Sequence, residues 1–580
     1  MINNVIGNKY NSSRQDGPSC KTLKVDQVEI SDKITISNEF CKFFSTVGKE
    51  LTKNFKTNKE ITFTKNINVK SYNSMFLEPT NEYEIKGIVK KLKNNTTAYI
   101  FKNCTESLAP ILVKITNHSL ATGTFHSRLK LARVIPVYKK SGEIQLMSNY
   151  RPISILPVLS KIIETVIKKR LLTYLNKISF FCKNQYGFIQ KSNTEIAVVD
   201  LIIRLQKTLD KKKRAAGLFL DIRKAFDSVD PKILLQKMEK IGIRGIPLLW
   251  FSNYLCNRKM YVDVNGEYSQ EMYVDFGVPQ GSILGPYLFL IYINDLAECK
   301  LKGEVLLYAD DTNIFYTADS TELLYNDMKH DLNILEKWFN LNKLCVNTKK
   351  CNFILFSSEH NEVINDDKLN FFGSKLSHVR NIKFLGLHLT YNLDWTNHIA
   401  DICKKISKYV GIFFRVKDLI PYRCKRLLYF SLVHCHLTYL LTIWGVSSEN
   451  KLHALKILQN KLIKILFDMP IRTHTSDVYK NTNILSISSQ LQFSSSLLIK
   501  NLILNKVHTN TAILINRDVH TYNTRNSNRP YTFPKKTTTF GTKSCLNNSL
   551  SNYNSLNSDI RNIENVKTFK KKLLQFIKEQ

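Results

Sequence analysis

The sequence lacks the paired cysteines from which most structural zinc sites are built. Its 12 cysteines are scattered singly, and no two of them are separated by only two residues. A zinc ribbon or a zinc knuckle is therefore not supported. The segment that most resembles a ligand set is His434-Cys435-His436. Alternate residues of an apolar helix or strand point in different directions, so we predict that these three side chains serve packing.

Long apolar runs are also missing, and acidic residues are few. No uninterrupted apolar segment reaches the ~18 residues that a membrane-spanning helix needs. The polar start, Met1 to Ser12, lacks the apolar region of a secretory signal. Lys and Arg number 84 against 48 Asp and Glu, which gives a net charge of +36. This excess favours a polyanionic partner, and nucleic acid over a membrane surface.

Changes in composition divide the 580-residue chain into four regions. Residues 1–118 form an N-terminal extension with an amphipathic helix pattern over Ile36 to Phe55. Residues 119–395 are a dense mixture of helix and strand patterns. Residues 396–470 are predicted to be helical. Residues 471–580 are basic and rich in Asn and Ser, and they end in a helix from Val566 to Ile577.

The most informative short segment is Tyr308-Ala309-Asp310-Asp311. It lies between two apolar runs, which predicts a strand, a tight turn and a second strand with the acidic pair at the tip. Adjacent carboxylates repel each other, and a fold that positions both usually needs them for a cation. Taken alone, the pair is better explained as a solvated turn, because Asp is a common turn residue.

A third carboxylate follows another buried-strand pattern. Asp221 comes directly after Ala216 to Leu220, and an acid at the end of a buried strand must be solvated, paired or metal-bound. If it converges with Asp310 and Asp311, the site can hold two Mg²⁺ ions and perform nucleotidyl transfer. Asp227 and Asp230 compete for this role, but both fall where helices begin, so capping is their default.

Between the acidic segments lies a loop rich in glycine and proline, Phe276 to Pro286, which an apolar helix follows. Its glycines let the backbone approach a base or a phosphate closely. Gln280 in this loop could form a hydrogen bond with a nucleotide. Loops of this kind before helices are common, so the loop alone does not identify a nucleotide site.

Further motifs flank these segments in a fixed order. The ordered series is Val134 to Lys140, Asn149 to Ser154, Gln185 to Phe188, Asp221 to Asp227, Gly277 to Phe289, Tyr308 to Asp311, Asn347 to Lys350, Phe384 to Gly386 and Leu393 to Ile399. This series resembles the reverse transcriptase domain of non-LTR retrotransposons, most closely the jockey-like group. A weaker similarity continues through the helical region, so the resemblance covers most of the chain.

The resemblance implies an α+β right-hand polymerase of fingers, palm and thumb, with an antiparallel palm sheet packed on helices and a mainly helical C-terminal region. On this basis residues 1–118 include the start of the fingers, 119–395 hold the fingers and palm, and 396–470 are thumb-like. The implied activity is copying of RNA into DNA by two-metal nucleotidyl transfer. Asp221, Asp310 and Asp311 would be the catalytic residues and the ligands of two Mg²⁺ ions, with Mn²⁺ as the alternative ion.

Roles in nucleotide binding also follow from the resemblance. Lys139 and Arg151 would meet the triphosphate, and Lys350 would protonate the leaving pyrophosphate. Phe226 would exclude a ribose 2′-hydroxyl, and Gln280 with Gly281 would contact the nucleotide. The plain alternatives are surface cations for the three basic residues and a core aromatic for Phe226.

The sequence departs from the family after Asn95, where a Pro-Gly-x-Asp-Gly type of segment is expected and is not found. The region before the polymerase motifs is also too short for the endonuclease domain that usually precedes them. A catalytically impaired nucleic-acid-binding remnant is therefore the alternative to an active enzyme. The expected partners are an RNA template, a DNA primer and dNTPs, with no membrane, in a cytoplasmic ribonucleoprotein and in the nucleus. The oligomeric state, the insertion target and the template specificity do not follow from the sequence.

Overall fold

The structure is a computed structural model of the chain. It describes residues 22–26, 28–53, 55, 73–93, 96–357, 369–470, 472–508, 516–517, 531–532, 538, 541 and 544–579. The polar start, Met1 to Ser12, and the pair Asn94 and Asn95 lie outside the described residues. No helix within these ranges is long and apolar enough to cross a membrane.

Short strands occur along the whole chain and are densest between residues 131 and 390. They are β1 Leu23–Val25, β2 Val28–Ile30, β3 Leu131–Tyr138, β4 Tyr150–Ile155, β5 Arg214–Leu220, β6 Arg258–Val264, β7 Glu267–Tyr268, β8 Met272–Val274, β9 Glu304–Tyr308, β10 Asp311–Ala318, β11 Asn352–Phe356, β12 Asn370–Phe371, β13 Ser374–Lys375, β14 Ser377–His378, β15 Asn381–Phe384, β16 Leu387–Thr390, β17 Asn516–Arg517 and β18 Tyr531–Thr532.

Helices precede the sheets, cover them and dominate the C-terminal part. They are α1 Lys33–Thr52, α2 Glu82–Lys90, α3 Thr96–Asn103, α4 Thr105–Thr122, α5 Val158–Lys177, α6 Thr194–Asp210, α7 Pro231–Lys240, α8 Ile246–Leu255, α9 Gly285–Ile293, α10 Thr321–Leu341, α11 Thr396–Val416, α12 Tyr422–Leu428, α13 Cys435–Thr438, α14 Leu441–Trp444, α15 Glu449–Leu466, α16 Ser476–Asn481, α17 Ile487–Ile503, α18 Cys545–Asn554, α19 Ser558–Arg561 and α20 Val566–Glu579. A π-helical turn, Tyr429–His434, joins α12 to α13.

The central sheet has the strand order β14-β11-β5-β10-β9. Its pairs are antiparallel except at the edge, where β11 and β14 run parallel. Successive side chains of a strand point to opposite faces. In β5, Ala216, Leu218 and Leu220 accordingly join the largest apolar cluster, with helices α5, α7, α8, α9 and α10. Ala215 and Phe219 join a second cluster, with helices α6, α11 and α15. Both faces of this sheet are therefore covered, as its almost uninterrupted apolar strands predict.

A second sheet has the order β4-β3-β6-β7, with β8 paired to β6. Strands β3 and β6 run parallel, so this sheet is mixed. The predicted amphipathic helix forms as α1, and it packs on β6, β7 and β8. Phe40 and Phe44 of α1 are buried there with Val134 and Val262. The N-terminal helix is thus part of the core of the second sheet.

The C-terminal region is helical as predicted, and it contacts the central part of the chain. Helices α11 and α15 pack together, and α17 packs on α18 and α20. Asp210, at the end of α6, accepts hydrogen bonds from the backbone nitrogen and Oγ1 of Thr538, at 3.1 and 2.7 Å. His434 and His436 sit on the helical stretch, and burial lowers the pKa of both rings, whereas Cys435 is exposed.

Candidate active site

The acidic hairpin and the end of β5 meet at one edge of the central sheet. Strands β9 and β10 form the predicted hairpin, with Ala309 at the turn in the left-handed region at φ 56°. Strand β10 pairs antiparallel with β5, and Thr312 lies opposite Leu220. In an antiparallel pair, residue numbers rise along one strand as they fall along the other. One position beyond the pair of Thr312 and Leu220, Asp311 therefore lies beside Asp221. Asp221, Asp310 and Asp311 are therefore neighbours.

Electrostatics supports this proximity. Solvent reaches Asp310 and Asp311, but the surrounding protein partly dehydrates both carboxyl groups. This burial, together with the charge of Asp221, raises the pKa of Asp310. Burial, followed by the charges of Asp310 and Asp221, raises the pKa of Asp311 to about 6. Mutual repulsion of this kind is relieved by a bound cation.

The chemistry of the three carboxylates fits a divalent ion, since hard cations prefer oxygen donors. None of the three forms an ion pair with a described residue. Asn347 orients Asp221 by donating a hydrogen bond from Nδ2 to Oδ2 at 3.1 Å. Across the described part of the chain, however, no three Asp, Glu, His or Cys side chains are gathered closely enough to hold a metal ion.

Basic side chains gather next to this edge. Burial and the charges of Arg151 and Lys350 lower the pKa of Lys139, which also feels Asp227 and Asp221. The structure thus brings together Lys139 and Arg151, which the sequence analysis assigned to the triphosphate, and Lys350, which it assigned to the leaving pyrophosphate. Lys139 is held by a 2.8 Å hydrogen bond from Nζ to the carbonyl oxygen of Ser148.

Lys224 is a fourth cation of this group, and sequence reasoning missed it. Burial and the charge of Lys139 lower its pKa to about 8. Its ammonium lies 5.2 and 5.8 Å from the ring centroids of Phe43 and Phe44 in α1. A cation over an aromatic face is favourable. The N-terminal helix therefore supports this side chain from outside the polymerase motifs.

The loop before α9 packs against the segment that follows Asp221. A side chain at Gly277, which has φ +85°, would approach Asp227 Cα to 2.8 Å, and one at Gly281 would approach the carbonyl oxygen of Ser154 to 2.6 Å. Gln280 donates from Nε2 to Asp227 Oδ1 at 2.7 Å. Phe226 is half-buried and stacks on Phe289, with ring centroids 4.9 Å apart. Both glycines are required by close contact between backbone segments.

The capping role predicted for Asp227 is wrong, whereas that of Asp230 is confirmed. Asp230 is the N-cap of α7 and accepts from the Lys232 nitrogen. Asp227 instead accepts from Gln280, and its Oδ2 is buried without a hydrogen-bond partner in the described structure. Burial raises the pKa of Asp227 to about 6. The sequence could not show this, because Gln280 is 53 residues away.

The substitution Asp227→Asn should change the pH dependence of stability. The ordinary pKa of the carboxyl is 3.8 and the folded value is about 6, so the stability that this group contributes at low pH is lost as the pH rises through 6. The asparagine amide does not titrate, so the free energy of unfolding of the variant does not fall in this way. We expect Asp227→Asn to gain about 2–3 kcal/mol relative to wild type between pH 4 and pH 8. Urea unfolding at both pH values measures it, with the exposed Asp275→Asn as a control expected to show no such change.

Two buried residues support the site and were not assigned roles from the sequence. Gln185 accepts hydrogen bonds from the backbone nitrogens of Gly187 and Ala309, at 2.8 and 3.1 Å, and so fixes the acidic turn. Glu164 in α5 accepts from the nitrogens of Ile283 and Leu284, at 2.7 and 3.2 Å, and so fixes the loop. The sequence signal for Glu164 is a single acidic residue on an apolar helix face. Burying a carboxylate there is costly unless it forms hydrogen bonds or an ion pair.

Comparison with known proteins shows which family the central part of the chain resembles. Residues 137–389 match the family described as "Reverse transcriptase (RNA-dependent DNA polymerase)". The matched stretch contains the acidic edge, the four basic residues and the loop before α9. This part of the chain is therefore similar to the reverse transcriptase domain.

Two curated relatives belong to one group of mobile elements. The chain is 28% identical to the RNA-directed DNA polymerase from mobile element jockey of Drosophila melanogaster, over 76% of this chain and 50% of that protein. It is 26% identical to the jockey polymerase of Drosophila funebris, over 72% and 47%. This chain is thus a relative of the jockey polymerases of non-LTR retrotransposons, as the sequence motifs predicted. It spans about half the length of these relatives.

Among solved structures, apo telomerase from Candida tropicalis is similar over 69% of this chain and 67% of that chain. The sequence identity is 12% and the TM-score is 0.34.

Proposed function

We propose that this chain is an RNA-directed DNA polymerase that copies a retrotransposon RNA into complementary DNA. The observation that supports it most is the register of β5 and β10, which brings Asp221 beside Asp310 and Asp311. We assign the start of the fingers to residues 1–118, the fingers and palm to 119–395, the thumb to 396–470 and an accessory region to 471–580. The substrates would be an RNA template, a DNA primer and dNTPs.

The three carboxylates would hold two Mg²⁺ ions, or Mn²⁺, through their oxygen atoms, and reverse transcriptases generally use divalent ions. Such ions, when bound, lower the pKa of an attacking hydroxyl and stabilise a transferring phosphoryl group. Asp221 is oriented for this by Asn347, and Asp310 and Asp311 are held by the turn that Gln185 fixes. The protein thereby places its negative charge where the primer 3′-hydroxyl and the α-phosphate would meet.

The four cations would bind the triphosphate. Burial lowers the pKa values of Lys139 and Lys224, and repulsion among Lys139, Arg151 and Lys224 lowers them further. A triphosphate would relieve this repulsion, and Arg151 can contact two phosphate oxygens at once. Lys350, beside Lys139, would donate a proton to the leaving pyrophosphate.

The nucleotide itself would meet the aromatic ring and the loop. Stacking on Phe289 fixes the Phe226 ring, which supports its proposed role as the steric limit at the ribose 2′ position. Gln280 uses its amide nitrogen on Asp227, and its carbonyl oxygen makes no hydrogen bond to any described residue. That oxygen and the exposed backbone of Gly281 are available to a base or sugar.

The second candidate is a nucleic-acid-binding remnant that polymerises poorly or not at all. Two observations favour it. The carboxylates, as they stand, are not gathered into an ion-binding cluster within the described residues. The segment expected after Asn95 is also missing from the sequence. The remnant would keep the basic surface and the fold.

Primer extension on an RNA template separates the two candidates. With Mg²⁺ and dNTPs, the polymerase should extend an annealed DNA primer to the template end, and omission of one dNTP should stop extension at the matching base. Template binding is measured in parallel on the same preparation. Protein that binds the template but adds no nucleotide would establish the remnant and exclude the polymerase.

A further inference from the structure

The chain returns from the C-terminal helices to the edge of the central sheet. Residues 505–508, which we call the strap, follow helix α17 and lie across residues 183–191, which we call the support loop. The backbone nitrogen of His508 donates to the carbonyl oxygen of Lys191 at 2.8 Å. The ring Nε2 of His508 donates to the carbonyl oxygen of Lys183, also at 2.8 Å. One residue of the strap therefore holds both ends of the support loop.

The ring of His508 also packs on the middle of the support loop. It lies edge-on to the ring of Tyr186, with centroids 5.6 Å apart and an interplanar angle of 71°. Tyr186 is buried, and its hydroxyl donates a hydrogen bond to Asp200 in helix α6. The neighbouring strap residue Val507 packs against the second apolar cluster. The strap is thus anchored in the core and holds the support loop in place.

The support loop in turn pairs with the strand that leads into the acidic turn. In the described part of the chain, β9 is an edge strand of the central sheet. The support loop covers this edge, because the nitrogen of Tyr186 donates to the carbonyl oxygen of Leu307, and the nitrogen of Leu307 donates to that of Asn184, both at 2.9 Å. The side chain of Gln185 adds its bond to the nitrogen of Ala309. The loop is therefore bonded to the chain directly before the two acidic residues.

The conformation of the support loop needs contacts from outside the loop. Phe188 and Lys191 lie in the left-handed region, at φ 58° and 61°, which is costly for residues that carry a side chain. Such backbone persists only where the surrounding structure holds it. The fit against the acidic turn is also tight, since a Cβ at Gly187 would collide with the nitrogen of Ala309. A shift of the loop would therefore move the turn.

We propose that His508 is a positioning residue of the polymerase. It holds the support loop against β9 and so fixes the turn that carries Asp310 and Asp311. His508 acts through Tyr186 and Gln185 and does not touch the reacting groups. Its effect on the rate of extension rests on the proposed function, whereas its hold on the turn does not depend on activity. The C-terminal accessory region thereby contributes to catalysis.

Hydrogen exchange followed by mass spectrometry tests the hold on the turn, in the full chain and without substrates. In His508→Ala, the amides of Leu307 and Ala309 should exchange at least about tenfold faster than in wild type, because the bonds that they donate to the support loop open more often. His508→Gln should exchange like wild type, since the amide nitrogen of glutamine can donate to the carbonyl oxygen of Lys183. Unchanged exchange in strands β3 and β4 would show that both variants are folded.

Single-turnover primer extension at saturating dNTP tests the effect on catalysis. His508→Ala should be about tenfold slower than wild type, because small displacements of reacting groups are costly, and template affinity should change less than about threefold. His508→Gln should restore most of the rate. The matched control is His474→Ala, which removes an exposed histidine of the same region and should leave the rate and the exchange unchanged.

Unchanged exchange at Leu307 and Ala309 in His508→Ala would overturn the proposal, as would faster exchange with an undiminished rate. A rate in His508→Gln as low as that in His508→Ala would also overturn it, because the hydrogen bond to Lys183 would then not be what positions the turn. If wild type extends no primer, the proposed function fails. Hydrogen exchange then still decides whether the strap holds the acidic turn.

Discussion

The substitution Asp310→Asn should reduce RNA-templated extension by on the order of a thousandfold or more, with template affinity changed less than about threefold. Asparagine keeps the size of the side chain and removes its charge. Phosphoryl transfer depends mainly on positioned charge at the transition state, so the loss falls on the catalytic step. Single-turnover extension at saturating dNTP measures the rate, and anisotropy measures the affinity.

The same variant should be at least as stable as wild type without divalent ions. Asp310 and Asp311 repel each other, and repulsion contributes to the raised pKa of Asp311. Removing one charge relieves that cost, so urea unfolding should show an unchanged or higher free energy of unfolding. A variant that loses activity because it is unfolded would show the opposite. The exposed Asp559→Asn, in helix α19, removes an equal charge and should keep full activity.

The second large effect should come from Gly187→Ala. A Cβ at Gly187 would collide with the backbone nitrogen of Ala309 and would lie 3.0 Å from the carbonyl carbon of Tyr308. These are backbone atoms of the acidic turn, so they can move only if the carboxylates move too. Misplacement of reacting groups by about 1 Å can cost about a hundredfold in rate. We expect a loss of that size in extension rate, with template affinity kept.

The control for this variant is Gly411→Ala. Gly411 lies in helix α11 with no atom within 4 Å of its Cβ position, so alanine there should leave activity unchanged and stabilise the helix by up to about 1 kcal/mol. If Gly187→Ala extends primers as fast as Gly411→Ala, the turn is not held by the contact described here.

The local elements of this site could be predicted from the sequence because their patterns are short and regular. The apolar runs around Asp310 and before Asp221 have the length and composition of buried strands, and they form β9, β10 and β5. The stripe over Ile36 to Phe55 predicted helix α1 in the same way. Family motifs then placed Lys139, Arg151 and Lys350 in one neighbourhood, where the structure also has them.

What the sequence could not show are contacts between segments far apart in the chain. The support of Lys224 by Phe43 and Phe44 joins the N-terminal helix α1 to the segment that follows Asp221. Helix α1 also approaches the segment that follows Asp221, since a Cβ at Gly48 would collide with the carbonyl oxygen of Asp227. The same Cβ would lie 2.7 Å from Phe276 Cβ, in the loop before α9. Helices α2 and α5 likewise pack together, although α3 and α4 lie between them in the chain. No periodicity or turn signal encodes such pairings.

We propose that Asp221, Asp310 and Asp311 together bind the divalent ions of catalysis. Electron paramagnetic resonance of Mn²⁺ added to the protein with primer, template and a non-hydrolysable dNTP analogue counts the ions bound. We expect two bound ions per chain in wild type, and at least one fewer after Asp310→Asn. Equal Mn²⁺ stoichiometry and affinity in wild type and in the variant with all three aspartates changed to asparagine would contradict it.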